Sequence, residues 1–470
     1  MLIVIVGADR VGSRLARKLI EQNYDVIIIE KDIEKANNAA NSLDCLVLNA
    51  DGTNLDDLKR AGISKADYFI SVTGSDERNM IACGLVSREF NIPYKIARVQ
   101  NIYFSNANFL ENAFLGIDYI VNPSMEAAKN IISGIDHGAI SDIMLFENTN
   151  LQMRNLSVTQ GSIFENKMLI ELHEIVKEKF LIAVIMRGNQ YIIPKGDTMI
   201  REMDNLYIVG AQEALDEIFS KMGKVRIDFR KIVIIGGSDI GQFVIEHLRG
   251  EDRTHVNETL LGKFTSIFTK IKTKNRGITV IDRDYEKCKQ LSAKFPGINV
   301  INVDIADEGL FEEEGLIDSD LIITCTYNQE LNIVTAVYGK SLGIKRSIAL
   351  VGKTSYLGVA LNLGIDVPIS LNNSMIQGIL RFIKKDKIQS FHSISSSNIE
   401  VIQLKVTSSS RLLGKRIKEI KFPLHSLIIS VKSGENDILP DGEYMIQGND
   451  TVIMIVRKES LEKIENMFTS

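Results

Sequence analysis

A chain of 470 residues is long enough for about three domains of roughly 150 residues each. Its hydrophobic share of 45% and charged share of 24% are those of a soluble globular protein, leaving an ordinary core for each domain. A formal net charge of −5 argues against nonspecific attraction to nucleic acid, and no apolar run approaches the ~18 residues of a membrane-spanning helix.

The chain opens on MLIVIVGADRVG, an apolar run with no charged leader that enters a glycine motif, and so reads as a first strand rather than a signal peptide. Short β-branched runs at 2–6, 26–30, 45–48, 68–72, 95–99 and 119–122, bounded by Gly, Asp and Asn, predict strands. Residues 10–22, 54–61, 76–90 and 124–135 carry apolar side chains at helical spacing. Strand alternating with helix predicts a mainly parallel sheet covered on both faces. A smaller unit, about 140–222, combines a few strands with a closing helix, AQEALDEIFSKM.

The pattern is then written a second time. RKIVIIGGSDIG (230–241) answers the opening, ITVIDRD (278–284) answers VIIIEKD (26–32), and SDLIITCTYNQELNI (319–333) answers ADYFISVTGSDERNM (66–80). The spacing from Asp67 to Asn79 equals that from Asp320 to Asn332. Late in each half, PKGDTMIREMDNLYIVGAQEALDEI (194–218) aligns with PDGEYMIQGNDTVIMIVRKESLEKI (440–464), pairing Pro194 with Pro440, Gly196 with Gly442, Asp204 with Asp450 and Leu215 with Leu461. The expected fold is α/β: two Rossmann-like, doubly wound parallel-sheet domains, each followed by a small α+β domain. Boundaries are expected at 1–137, 138–224, 229–388 and 398–470. Of four cysteines without a CxxC pair, Cys83 and Cys325 lie in apolar surroundings and read as reduced core thiols, while Cys45 and Cys288 lie apart from them.

The first strand ends in Gly7-Ala8-Asp9-Arg10-Val11-Gly12, where a helix begins. In a dinucleotide fold the first glycine makes the turn, the second admits the pyrophosphate and the third lets helix and strand pack closely. The phosphates then rest on free N–H groups at the helix start. Gly7 and Gly12 fit the outer roles, while Asp9 places a carboxylate where phosphate should approach. The second copy reads Gly236-Gly237-Ser238-Asp239-Ile240-Gly241, with a serine hydroxyl that could donate to phosphate. Glu30 and Asp282 end the second strands, placed to accept both ribose hydroxyls and repel a 2′-phosphate. Asp51 and Asp304 end the third strands near the adenine end, and Thr73 and Thr326 end the fourth, near the switch point. The alternative is a crevice that keeps this pattern and binds nothing.

Catalysis is not expected. None of the six histidines sits at a strand end with an acidic partner, and no HExxH, GxSxG or P-loop appears. The rival is an NAD-dependent oxidoreductase with cofactor in one parallel-sheet domain and substrate in the other.

GADRVG, Glu30, VTGSDERNM, IARV with Arg98 and the late PxGxxxI segments together resemble the TrkA family of regulatory proteins of Trk-type potassium transporters, which carry two regulator-of-conductance (RCK, or KTN) units. The resemblance spans essentially the whole chain. It implies small domains of RCK-C type, NAD or NADH and also ATP or ADP at the first-strand sites, and assembly into a homo-oligomeric ring, expected to be a tetramer. It further implies a cytoplasmic protein docked under an integral-membrane potassium-transporter subunit of TrkH type. Carried onto this chain, Gly7 to Gly12 form the phosphate turn and Glu30 holds ribose. Thr73 and Gly74 line the cleft, and Arg98 reaches phosphate as a counter-charge. The second half offers Gly236 to Gly241, Asp282 and Thr326, with Leu350 where Arg98 would stand.

The first half has no counterpart of residues 251–276, in which Leu260, Leu261, Phe264, Ile267, Phe268 and Ile271 mark one helix face. Between 260 and 276 stand five basic residues, Lys263, Lys270, Lys272, Lys274 and Arg276, and no acidic one. The segment is expected to pack on its own domain or across a subunit interface, the alternative being contact with the cytoplasmic membrane face, through 260–276, or with the channel.

Overall fold

The computed structural model describes residues 1–101, 104, 114–136, 138–139, 143–146, 149–172, 176, 178–188, 190–222, 229–250, 276–307, 309–384, 390–393, 399–407 and 409–469. Apart from Arg276, the insertion lies outside the described residues, as do His137 and His173. Among the described residues, no helix is long and apolar enough to cross a membrane.

The first six apolar runs form β1 (Leu2–Val6), β2 (Asp25–Glu30), β3 (Leu46–Asn49), β4 (Tyr68–Ser71), β5 (Tyr94–Arg98) and β6 (Tyr119–Val121). They make one sheet in the order β3-β2-β1-β4-β5-β6, with every neighbouring pair parallel. The central residues Ile3, Val4 and Ile5 are fully buried, as a sheet covered on both faces requires. The crossovers are α1 (Arg10–Ile20), α2 (Ile33–Ser42), α3 (Leu55–Arg60) and α4 (Asp76–Glu89), and α5 (Pro123–Asp136) follows β6. Asp9, Asp32, Asn54 and Ser75 cap the first four, their side chains accepting first-turn N–H groups. Helix α2 has no counterpart among the sequence expectations, because only Ala36 and Ala39 of its residues are buried and the apolar signal is faint.

Next come β7 (Ile143–Leu145), β8 (Leu151–Ser157), β9 (Phe180–Arg187), β10 (Gln190–Ile192) and β11 (Asn205–Ala211), an antiparallel sheet ordered β10-β9-β11-β8-β7 and closed by helix Gln212–Lys221. The second half repeats both sheets. β12 (Lys231–Ile235), β13 (Gly277–Asp282), β14 (Asn299–Asn302), β15 (Leu321–Thr324), β16 (Arg346–Val351) and β17 (Val367–Ser370) are parallel, in the order β14-β13-β12-β15-β16-β17. β18 (Ser390–Ser393), β19 (Ile399–Lys405), β20 (Leu427–Ser433), β21 (Asn436–Ile438) and β22 (Thr451–Arg457) form the second antiparallel sheet, and helix Leu461–Thr469 ends it.

The domains do not pack in chain order. Residues 1–139 join 228–382 in one compact unit, and 140–227 join 383–470 in another. Within the first unit, α5 packs on helix Asp239–Leu248 of the other parallel-sheet lobe, where Asp136 lies 3.6 Å from His247. Glu126 of α5, only 3% exposed, meets Lys129 at 2.7 Å and Arg381 at 2.6 Å. Burial alone would raise its pKa, but the two cations outweigh that and hold it below the ordinary carboxylate range. Beside it the Tyr119 ring stacks on Phe382 with centroids 4.7 Å apart, and burial next to Glu126 raises the phenol.

The second unit is held by a core that both antiparallel sheets share, including Met153, Val184 and Val209 from one and Val401, Ile429 and Ile453 from the other. The aligned Asp204 and Asp450 are 0% and 1% exposed. Asp204 takes both prongs of Arg187 at 2.8 Å, whereas Asp450 takes the Tyr444 hydroxyl at 2.9 Å. Each also accepts one main-chain N–H at 2.8 Å, from Arg201 or Gln447. The late repeat in the sequence therefore marks a buried turn anchor.

Candidate functional site

The strand order reverses between β1 and β4, so a crevice opens beyond their carboxyl ends. In the first lobe it is a cavity of about 400 Å³. Of the expected residues, Gly7, Asp9, Glu30, Asp51, Thr73 and Gly74 line it. So do Lys31, Lys35, Gly52, Thr53, Ser75 and Arg78, which sequence reasoning missed. The only available signal for Gly52 and Thr53 was the Asp-Gly pair closing β3; Lys35 and Arg78 read as ordinary solvated helix residues.

The turn is shaped by glycine. Gly7 has φ +105°, and a Cβ there would come within 3.2 Å of the Thr73 nitrogen. A Cβ on Gly12 would lie 1.9 Å from the Gly7 carbonyl oxygen, so helix and strand meet only without it. The Ala8 N–H donates to Glu30 Oε2 at 2.6 Å, and the Asp32 N–H donates to Oε1 at 2.9 Å. Glu30 is thereby held at the cleft wall by main chain on both oxygens. Lys31 Nζ donates to Asp51 at 2.8 Å; this bond, with those from the Thr53 hydroxyl and N–H, holds the Asp51 carboxyl well below its ordinary range. Asp51 is therefore ionised at neutral pH.

Other expected residues sit as follows in the structure. Two N–H groups at the start of α1 are already taken, because the Asp9 carboxylate accepts from Val11 N at 2.9 Å and Gly12 N at 3.0 Å. Arg98 is not among the lining residues; its Nη1 donates to the Thr73 carbonyl at 3.3 Å and lies 3.9 Å from Asp9 Oδ2. Val11 is a buried core residue, and Arg10 is exposed on α1. In the second lobe the Ser238 hydroxyl is not offered to a ligand: the side chain is 5% exposed and donates to the Cys325 carbonyl at 3.0 Å. Ile240 is likewise core, at 1% exposure.

The remaining second-lobe residues repeat the first-lobe geometry. Gly236 has φ +109°, and a Cβ on Gly241 would lie 2.3 Å from the Gly236 carbonyl oxygen. Asp282 accepts the Gly237 N–H at 2.8 Å and the Asp284 N–H at 2.9 Å, as Glu30 does in the first lobe. Asp304 accepts the Ala306 N–H at 3.1 Å, and Asp239 opens the helix after the turn. Cys325 is buried, which pushes its thiol up to about 12, and the buried Cys83 thiol is also raised by burial.

A buried asparagine underlies each cleft. Asn79 accepts from Ser71 Oγ, Thr73 N and Thr73 Oγ1 and donates to the carbonyls of Thr73 and Arg98. Asn332 accepts from Thr326 N and Oγ1 and donates to the carbonyls of Thr326 and Leu350. The equal spacings noted in the sequence are thus two copies of one clamp. It fixes the end of the fourth strand against the fifth, and it puts Leu350 in the place of Arg98.

The chain matches the TrkA-N domain family at residues 3–123 and 261–371 and the TrkA-C domain family at 153–223 and 401–469. The second TrkA-N match begins inside the insertion, leaving β12 and Gly236–Gly241 ahead of it. The Trk system potassium uptake protein TrkA of Halomonas elongata is 26% identical, covering 100% of this chain and 98% of its own. A TrkA homolog of Archaeoglobus fulgidus is 27% identical, with both chains covered fully (100% each). Among solved structures, the GsuK channel bound to NAD superposes with a TM-score of 0.54 at 18% identity, covering 99% of this chain and 78% of that one. With family matches over well over half its length, in alternating order, this chain belongs to the TrkA family, two TrkA-N domains each followed by a TrkA-C domain.

Proposed function

We propose that this chain is the regulatory subunit of a potassium uptake system, acting at the inner face of the cell membrane on an integral-membrane transporter of TrkH type. The observation that carries this reading is similarity over the full length to relatives named as Trk potassium uptake proteins. Those names favour a part in potassium uptake over NAD-dependent oxidation. The ligand read for the clefts is NAD or NADH, with ATP or ADP as further candidates; a channel of the same fold is named as bound to NAD.

The first cleft fits the adenosine end of such a ligand. Each Glu30 oxygen accepts one N–H and keeps a lone pair, so the carboxylate can take both ribose hydroxyls. Its charge also repels a 2′-phosphate, which favours NAD over NADP. The diphosphate end fits at the start of α1 once Asp9 leaves those N–H groups, with Arg98 behind it as counter-charge. Asp282, Asp304 and Thr326 play the matching parts beside Gly236–Gly241. The nucleotide supplies no chemistry in this scheme. It shifts the assembly between states by its difference in affinity for them, and a homotetrameric ring would carry that shift to the transporter.

Growth at limiting potassium tests the proposal. A strain lacking this chain and other uptake routes is expected to stall, to recover with the wild type, and to recover poorly with the double variant Glu30→Ala, Asp282→Ala. Full recovery with the double variant would remove nucleotide binding from the mechanism, and no recovery with the wild type would remove the potassium role.

A further inference from the structure

The first cleft carries a group that its twin lacks. Asp9 Oδ1 accepts the N–H groups of Val11 and Gly12, while Oδ2 lies 3.9 Å from the Arg98 guanidinium. A ligand phosphate at this turn would seek the same N–H groups and the same counter-charge. The Asp9 side chain is 34% exposed and lines the cavity, so a ligand bound there would meet it directly. Its backbone, φ −68° and ψ −174°, is ordinary extended chain that any residue adopts, so conformation does not call for this side chain. Ser238, at the same place in the second lobe, turns inward to the Cys325 carbonyl, and the following helix has no side-chain cap.

We propose that Asp9 is the specificity-determining residue of the first cleft, an internal carboxylate that stands in for ligand phosphate and gives preference to the nucleoside end of an adenine nucleotide over its diphosphate. This rests on the nucleotide reading of that cleft. A nucleoside needs only Glu30 and the cavity wall. A diphosphate must lift Asp9 off two N–H groups and then lie beside its charge, so it loses much of the advantage that the helix start would give.

The test is calorimetric titration of adenosine and of ADP into the full chain, with Asp282→Ala present throughout to weaken the second cleft. Asp9→Ala is expected to raise ADP affinity by about tenfold or more while adenosine changes by less than about twofold, since charge-assisted hydrogen bonds are released to the phosphates. Asp9→Asn keeps a capping oxygen but not the charge, so it holds the helix start in place and should give an intermediate gain for ADP. Equal changes for the two ligands in Asp9→Ala, or a fall in ADP affinity, would overturn the proposal. If that happens while Glu30→Ala still abolishes adenosine binding, the nucleotide reading survives and only the role of Asp9 falls. If neither ligand binds any of the variants, both fall.

Discussion

Replacing Asn79 by alanine is expected to cost the first parallel-sheet lobe about 3 kcal/mol or more, because each buried polar group left without a partner costs about 1–3 kcal/mol. Asn79 is 0% exposed and makes five hydrogen bonds of 2.7–3.1 Å. When it is removed, the hydroxyls of Ser71 and Thr73 can turn to other acceptors. The Thr73 N–H and the Arg98 carbonyl are fixed by the backbone and cannot. Asn332→Ala should behave alike in the second lobe, stranding the Thr326 N–H and the Leu350 carbonyl. The exposed Asn49 is the control, since it also donates to two carbonyls, those of Glu30 and Lys31, yet water can replace it. Urea unfolding should therefore show a small loss for Asn49→Ala and large losses for the other two. Losses below about 1 kcal/mol at both buried sites would mean that the clamp does not hold the cleft, given the usual cost of such orphans.

Glu30→Ala is expected to weaken NADH and ADP binding to the first cleft by about tenfold to a hundredfold, the scale of hydrogen bonds to a charged group. Two effects act together. The ribose hydroxyls lose their acceptor, and the Ala8 N–H, held at 2.6 Å, loses the bond that orders the glycine turn. Glu30→Gln separates them, because its amide oxygen can still accept from Ala8 while the charge is gone. Calorimetry should place Glu30→Gln between the wild type and Glu30→Ala. The loss of charge should also reduce discrimination against a 2′-phosphorylated dinucleotide. Unchanged affinity in Glu30→Ala would place the ligand elsewhere.

Much of this architecture was legible in the chain. The six strands of the first sheet announce themselves through β-branched runs such as LIVIV and DVIIIE, because a strand buried on both faces needs apolar side chains at nearly every position. The duplication exposed the order of the four domains, yet not which copies pack together. Glu126 and Arg381 lie 255 positions apart, and nothing local to either marks the other as its partner. In the cleft, glycine spacing and strand-end acids pointed to Gly7, Glu30, Asp51 and Thr73, since turn geometry and strand termini leave short-range traces. Lys35 and Arg78 leave none, because a cation beside a cleft and a cation in open water look the same in sequence. Ser238 was misread for a related reason: its partner is a carbonyl 87 residues away, and only the fold brings them within 3.0 Å.

The central claim is that nucleotide held in these clefts sets potassium movement through a membrane partner. It is tested most directly by potassium flux into vesicles containing the purified transporter, with this chain present, as NADH or ADP is added. The account predicts fluxes differing by roughly fivefold or more between nucleotide states, the range of ordinary allosteric coupling, and no such dependence with Glu30→Ala combined with Asp282→Ala. Flux that is the same with and without the chain, whatever nucleotide is present, would contradict it.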